Sequence, residues 1–478
     1  MLSVLSIAAS TTSAGAVSLV NTVTIPGNST DLSPTNGGSG GANVNRLGGF
    51  FSDLHYDRSQ NVYYGLVDRG PGGGVIDYQT RVQRFSLNVN QTTGAIGGFN
   101  LLDTIRFTNN GNSYNGLNPS LLNGNPGNLG LSLDPEGFAV GPNGNFYVSD
   151  EYGPSVYEFS STGSFLRAFT TPNNLIPRES NGNVNYVDGR GTITSGRQDN
   201  RGFEGLTLSP DGSKLFAILQ DPLVNEGSSN EGRRSRNVRL VEFDTASGQS
   251  SAQYIYQLES LANINNRIPG TDDDFSETSQ GRNIGLSAIT ALNNNEFLVL
   301  ERDNRGVGEA DPTGSTPVGS KRVYRINLAN ATDVSNIDLT GTNTLPSDVT
   351  AVSRTLFLDV ADALQDAGQT IPEKIEGLAI GPQLADGSFA LLLGTDNDLS
   401  VTQNDTGVQF DVCSGGTQVA IDAGCPSGES LLPTYLYSFN ASSAELATPV
   451  PEPPATVGLL LLGLGYFGLK RQQHKPTK

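Results

Sequence analysis

Two histidines, two cysteines, one methionine and no tryptophan in 478 residues leave few of the side chains on which most enzymes base their chemistry. His474 lies in a basic tail, so a Ser-His-Asp arrangement would rest on His55 alone, which "SDLHYD" places inside a strand. Zinc held by Cys and His is excluded by number. Cys413 and Cys425 flank "CSGGTQVAIDAGC" and, in an exported chain, are expected to form a disulfide that closes this Gly-rich loop. Basic residues are scarce as well: 29 Lys and Arg stand against 48 Asp and Glu, for a net charge of −19. Such a surface disfavours nucleic acid and anionic membranes and favours divalent cations. Solubility alone accounts for most of these charges.

What the chain does have is turn formers, 58 Gly and 25 Pro, with 36% hydrophobic residues. That composition suits many short strands around a segmented core. In "DPEGFAVGPNGNFYVSDEYG", residues 134–153, Glu136 precedes one apolar run, a Gly/Asn/Pro turn follows, and a second run ends at Asp150 and Glu151. A hairpin brings the start of its first strand beside the end of its second, so Glu136 and Asp150 belong at one end.

The unit recurs. "FEGLTLSPDGSKLFAILQDP" repeats it with Glu204 and Asp221, and "IEGLAIGPQLADGSFALLLGTDND" with Glu376, Asp396 and Asp398. "GLSAITALNNNEFLVLERDN" has Ser287 in the Glu position and ends in Glu301, Arg302 and Asp303. "FFSDLHYDRSQNVYYGLVDRG" begins at Asp53 and ends at Asp68-Arg69. Each hairpin is followed by a third alternating run, and the first positions are 83, 68, 83 and 89 residues apart. This predicts an all-β chain: a β-propeller of five clear four-stranded blades, with a sixth, degenerate blade in 230–285 or 310–370 left open. The last blade lacks a fourth strand, and "AVSLVNTVTIP" near the N-terminus can supply it and close the ring. A β-sandwich would not explain the repeat.

In a propeller the first strand of each blade lines the central channel, so these carboxylates would gather at one mouth. Asp and Gly as turn formers account for Asp211 and Asp386. They do not account for Glu136, Glu204 and Glu376 at one phase, because Glu is a poor turn residue. Oxygen-rich, His-poor ligands select Ca²⁺ or another hard divalent cation. The expected metal set is Asp68, Asp150, Glu151, Asp221, Glu301, Asp303, Asp396 and Asp398, with Glu136, Glu204 and Glu376 as catalytic residues. Arg69, Arg201, Arg302 and Lys374 fall in the same layer and suit a phosphate ligand, or else balance charge through salt bridges.

On these residues the chain resembles the "esterase-like activity of phytase" family over roughly residues 45–440. The resemblance implies a propeller-like fold, hydrolysis of phosphomonoesters or diesters, and an acidic set of Glu136, Asp150, Glu151, Glu204, Asp221, Glu301, Asp303 and Glu376. Ser287 departs from that acidic pattern.

The two ends are set apart from the fold. Residues 1–16 resemble a signal peptide without its basic part. Residues 446–478, with Val450-Pro451-Glu452-Pro453, an apolar helix over 455–469 and Lys470-Arg471, resemble a PEP-CTERM sorting signal. That resemblance implies an exosortase-type processing enzyme as a partner and an extracellular or cell-surface location, with the C-terminal membrane segment transient or retained. The domain expected between them is 17–445, as a monomer. The leading expectation is an exported, Ca²⁺-dependent phosphoric ester hydrolase acting on a phosphorylated small molecule or other ester. The alternatives are a calcium-stabilised surface propeller that only binds, and a metal-dependent lactonase.

Overall fold

The computed structural model describes residues 17–33, 45–278, 280–404 and 407–447. The signal-like segment 1–16, His474, the Pro-Glu-Pro stretch and the apolar run 455–469 lie outside them. Among the described residues no helix is long and apolar enough to cross a membrane.

The chain is all-β and its strands come in four-stranded antiparallel sheets. The first sheet is a meander of β2 (Asp53–Asp57), β3 (Val62–Leu66), β4 (Arg81–Val89) and β5 (Ile96–Arg106). After a small hairpin, β6 (Thr108–Asn109) with β7 (Asn112–Ser113), the second comprises β8 (Pro135–Val140), β9 (Phe146–Asp150), β10 (Ser155–Phe159) and β11 (Phe165–Ala168). A loop pair, β12 (Arg178–Glu179) and β13 (Ile193–Ser195), precedes the third sheet, β14 (Phe203–Leu208), β15 (Lys214–Leu219), β16 (Asn237–Asp244) and β17 (Ser250–Gln257). The fourth is β18 (Ile284–Ala291), β19 (Glu296–Asp303), β20 (Lys321–Asn327) and β21 (Ser353–Asp359). The stretches 230–285 and 310–370 thus supply outer strands to the third and fourth sheets rather than a further sheet of their own.

The fifth sheet joins the two ends of the chain. β22 (Lys374–Gln383) and β23 (Phe389–Asp396) pair as a hairpin, β27 (Thr434–Ala441) adds to β23, and β1 (Ser18–Ile25) adds to β27, with Ser18 opposite Asn440 and Ile25 opposite Thr434. The N-terminal strand takes the place expected of it. First strands pack on first strands, β2 on β8, β8 on β14, β14 on β18, β18 on β22 and β22 on β2. The architecture is β-propeller-like.

Turn chemistry sets the hairpins. Asp211 accepts hydrogen bonds from Ser209 Oγ at 2.6 Å and from the Ser213 amide at 3.0 Å, and Gly212 takes φ +72°, which a side chain disfavours. Asp386 binds Ser388 in the same way. Both are turn formers, as their position in the repeat implied.

The core lies between neighbouring sheets. Tyr64 of the first sheet meets Phe138 and Phe146 of the second, with ring centroids 5.5 Å apart in each case. Burying each such side chain contributes about 1.5–3 kcal/mol.

Between β23 and β27 the chain builds a satellite sheet of β24 (Val401–Gln403), β25 (Gln409–Val412) and β26 (Gln418–Ala420). The segment read from sequence as a Gly-rich loop is therefore partly strand. Cys413 and Cys425 are disulfide-bonded across it. Arg46, buried, ties it down by donating to Asp411 at 2.7 Å, to Asp422 at 2.9 Å and to the Leu399 carbonyl at 3.0 Å.

Candidate functional site

The recurring Glu-Gly pair has a structural cause. In the hairpin of β8 and β9, Pro135 faces Asp150 and Gly137 faces Ser149, which leaves Glu136 as an extra residue, a β-bulge. The pairing shifts by one residue at Glu204-Gly205 in β14, at Ser287 in β18 and at Glu376 in β22. A bulge re-aims its side chain out of the ordinary alternation, so these positions share one orientation rule. The glycines that follow sit where the next first strand arrives. A Cβ on Gly137 would stand 2.5 Å from the Glu204 carbonyl oxygen, and one on Gly205 2.7 Å from the Ile289 amide nitrogen. A Cβ on Gly377 would stand 2.9 Å from the Leu54 side chain.

Asp134 and the bulged Glu136 from one side, and Asp396 and Asp398 from the end of β23 on the other, converge on Asp68. Carboxylate oxygens of Asp68, Asp134 and Glu136 lie within 4.8 Å of one another, and so do those of Asp68, Asp396 and Asp398. Two basic side chains enter this group. Arg69 donates to Asp134 at 2.8 Å, and Lys374 bonds Asp398 while standing 3.8 Å from Asp396. Four buried carboxylate oxygens here have no hydrogen-bond donor: Asp134 Oδ1, Glu151 Oε1, Glu204 Oε2 and Asp396 Oδ2. Carboxylates that face one another without a donor require either a proton or a cation between them.

The electrostatics agree. Burial first, then Asp68 and Glu204, pushes Glu136 well above the usual carboxylate range. Burial, then Glu151 and Glu376, does the same to Glu204. Asp134 and Asp396 are also driven up by burial despite Arg69 and Lys374. Burial acts on Asp68 too, but Arg69, a hydrogen bond with Asp134, and Lys374 outweigh it and hold that carboxylate low. Asp68 is thus the ionised centre of the group.

Two small hollows open here. One of about 180 Å³ is lined by Asp68, Arg69, Glu309, Lys374, Asp398 and the β24 residues Val401–Gln403. The other, about 170 Å³, is lined by Arg201, Asp221, Ser287, Arg302 and Lys374, and the two share Glu373 and Lys374. Arg201 pairs with Asp221 at 3.4 Å, and Arg302 binds Glu376 and donates to Ser287 Oγ at 2.8 Å. Ser287 therefore serves as an acceptor for the arginine that neutralises the next carboxylate. All four basic residues expected from sequence line these two hollows.

Some expected ligands are engaged elsewhere. Asp150 accepts from the amides of Asp134 at 3.0 Å, Tyr152 at 3.2 Å and Gly153 at 3.3 Å, which closes the end of its hairpin. Glu301 is held by Tyr256 at 2.8 Å, Arg354 at 2.9 Å and the Glu259 amide at 2.8 Å. Asp303 accepts from the amides of Gly319 and Ser320 and pairs with Lys321 at 2.8 Å. Asp53 staples β2 to β8 through the Phe138 amide at 2.7 Å. Conversely, Asp134, Glu309 and Glu373 belong to the site but carry no repeat signal. Two residues before the other bulges stand Gly202, Gly285 and Lys374, so periodicity could not single out Asp134.

His55 sits in the middle of β2, edge-on to Phe138, where burial lowers its pKa to about 4. It lines the larger cavity, about 660 Å³, formed by the hairpin turns. No carboxylate cluster of the kind around Asp68 occurs there among the described residues.

One pH effect follows. Burial first pushes Asp150 and Glu151 each up to about 7. With these two groups the folded chain binds more protons than the unfolded chain between about pH 4 and 7, so stability falls across that window, and the carboxylates driven higher, Glu136, Glu204, Asp134 and Asp396, carry the fall further. In chelator-treated protein the urea midpoint at pH 8 is expected to lie below that at pH 5.5. Saturating Ca²⁺ should narrow the gap by replacing protons. Equal midpoints without metal would contradict this account.

Residues 45–399 match the Phytase-like family model described as "esterase-like activity of phytase". An "uncharacterized secreted protein" of Arthroderma benhamiae is 29% identical over 326 residues, which cover 56% of this chain and 62% of that protein's length. Among solved structures, the chain is similar to the PQQ-bound aldose sugar dehydrogenase of Streptomyces coelicolor at 13% identity and a TM-score of 0.27, over 85% of this chain and 84% of that one. It is similar to Kuenenia stuttgartiensis hydrazine synthase at 14% identity and a TM-score of 0.27, over 74% and 78%.

Proposed function

Because the chain belongs to the phytase-like family described by its esterase-like activity, we propose that it hydrolyses phosphoric esters with the help of Ca²⁺ or a similar hard cation at the carboxylate-lined mouth. The observation that carries the proposal is the set of four buried, donor-free carboxylate oxygens among Arg69, Lys374, Arg201 and Arg302. We read the five sheets as five blades of one propeller, with β1 as the outer strand of the last, which sets the mouth at one end of a central channel.

Asp68, Asp134 and Glu136 would hold the cation. Bound there, it would neutralise phosphate oxygens and lower the pKa of a water molecule. Arg69 and Lys374 line the hollow of about 180 Å³ and would bind the non-bridging oxygens. A hollow of that size takes the phosphoryl group and leaves the rest of the ester outside. Gln220 donates to Glu204 Oε1 at 2.6 Å and leaves Oε2 free, which suits Glu204 to take a proton from the attacking water. Glu376 is occupied by Arg302 and would act by orienting it.

The same reading treats 17–445 as one monomeric domain that works outside the cytoplasm, with the segments before and after it directing export and exosortase-type sorting. The disulfide and the secreted relative support this.

The test is release of nitrophenol from mono- and bis-nitrophenyl phosphate and of phosphate from phytate, with Ca²⁺ and with EGTA. Activity with Ca²⁺, reduced at least about tenfold by EGTA, is expected. No release from any ester leaves the binding-propeller alternative, and lactone opening without phosphate release identifies a lactonase.

A further inference from the structure

Asp68 belongs to both carboxylate groups, and their other members come from different sheets: Asp134 and Glu136 from the start of the second, Asp396 and Asp398 from the end of the β22–β23 hairpin. Ca²⁺–oxygen distances of about 2.3–2.6 Å place two ligands of one ion up to about 5 Å apart. Both groups fit that span at 4.8 Å. Each also contains a buried oxygen without a hydrogen-bond donor, the one in the second group standing 3.8 Å from the Lys374 ammonium. Asp134 is 0% exposed and Asp396 5% exposed, yet Asp134 Oδ1 and Asp396 Oδ2 lack donors. Across the two groups five carboxylates stand against two basic side chains: Arg69 acts on Asp68 and Asp134, and Lys374 bonds Asp398 and lies 3.8 Å from Asp396.

We propose that the mouth holds two divalent cations, one in each group, bridged by Asp68. Each ion would have three protein carboxylates, and water and substrate oxygens would complete its shell. A shared carboxylate sets two cations about 3.5–4 Å apart, the separation at which one phosphoryl group can touch both. The inference rests on the metal-dependent reading above but can fail separately from it.

The experiment measures calcium bound per chain, by equilibrium dialysis of the chelator-stripped full chain followed by elemental analysis. Asp134→Asn and Asp396→Asn should each lose one ion relative to wild type, and Asp68→Asn should lose both or weaken both at least about tenfold. Asn keeps the shape of Asp, and urea midpoints will report whether each variant folds. An arm that needs no variant loads the wild-type chain with Tb³⁺ and Eu³⁺ and reads energy transfer between them. Transfer at a separation of about 4 Å is expected. Absence of that transfer, a single ion per wild-type chain, or an Asp396→Asn chain that keeps both ions overturns the proposal. If phosphoester hydrolysis persists alongside such a result, the bridge alone is lost. A chain that binds no cation removes both readings.

Discussion

Glu204→Gln should lower phosphoester turnover by about a hundredfold or more while leaving Ca²⁺ affinity nearly unchanged. Glu204 lies in the bulge of β14, its Oε1 held by Gln220 and its Oε2 free, and it is not among the three carboxylates around either candidate ion. A positioned general base is commonly worth a factor of about 10²–10⁴. Gln keeps the hydrogen-bonding shape and removes only the capacity to accept a proton. Glu136→Gln should lose at least about tenfold in turnover and weaken Ca²⁺ as well, because Glu136 is one of the three carboxylates proposed to hold the ion. Glu376→Gln, which frees Arg302, should show its loss mainly in substrate affinity. Asp211→Asn, at the turn end of its hairpin and exposed, serves as the control and should match wild type. The readout is kcat and KM on bis-nitrophenyl phosphate beside Ca²⁺ titration of the same variants. If all three Gln variants retain wild-type turnover, the reaction occurs elsewhere on the molecule.

Gly205→Ala should destabilise the protein more than substitution at any exposed glycine. The added Cβ would meet the backbone of Ala288 and Ile289, which belongs to the neighbouring first strand and cannot swing aside as a side chain would. Overpacking of this kind costs about 1–3 kcal/mol, and a lower urea midpoint with an unchanged slope would register it. Gly137→Ala should behave alike through the Glu204 carbonyl. The comparison is Gly97→Ala on the outer strand β5, where a Cβ meets nothing within 4 Å and stability should hold. Equal midpoints for Gly205→Ala and Gly97→Ala would show that the first strands are not packed as tightly as described.

The phase of the acidic positions was legible in the sequence because it repeats, and so was the pairing of Glu136 with the end of its partner strand. The orientation of each carboxylate was not. Asp150, Glu301 and Asp303 stand at the right end of their hairpins but turn to backbone amides, Tyr256, Arg354 or Lys321. That choice depends on loops whose path no periodicity fixes. Asp134 escaped because its counterparts in other units are Gly or Lys. The satellite sheet escaped because its strands are three or four residues long and rich in polar side chains. It nevertheless walls the hollow beside Asp68 through Val401–Gln403. An effect of the disulfide on activity is therefore expected through that wall, even though both cysteines come after the last carboxylate of the site.

The sheet that unites β1 with β27 also governs the order in which the molecule can assemble. Ser18 and Asn440 are neighbours in space and lie near opposite ends of the described chain. A chain made or threaded N-terminus first holds β1 without a partner until β22, β23 and β27 have followed. Each earlier sheet is a local meander that can form as soon as its own strands emerge, whereas the last bears the loop-closure cost of nearly the whole polypeptide. Its pairing is therefore expected to come late in folding. Until it happens, β27 offers an open edge to other chains, and β22 has not yet settled against β2. Lys374, Asp396 and Asp398 lie in that last sheet and just after it, while Asp68 and Arg69 follow the first. The second carboxylate group thus comes together only when the last sheet docks on the first, whereas Asp68, Asp134 and Glu136 can meet once the first two sheets have formed.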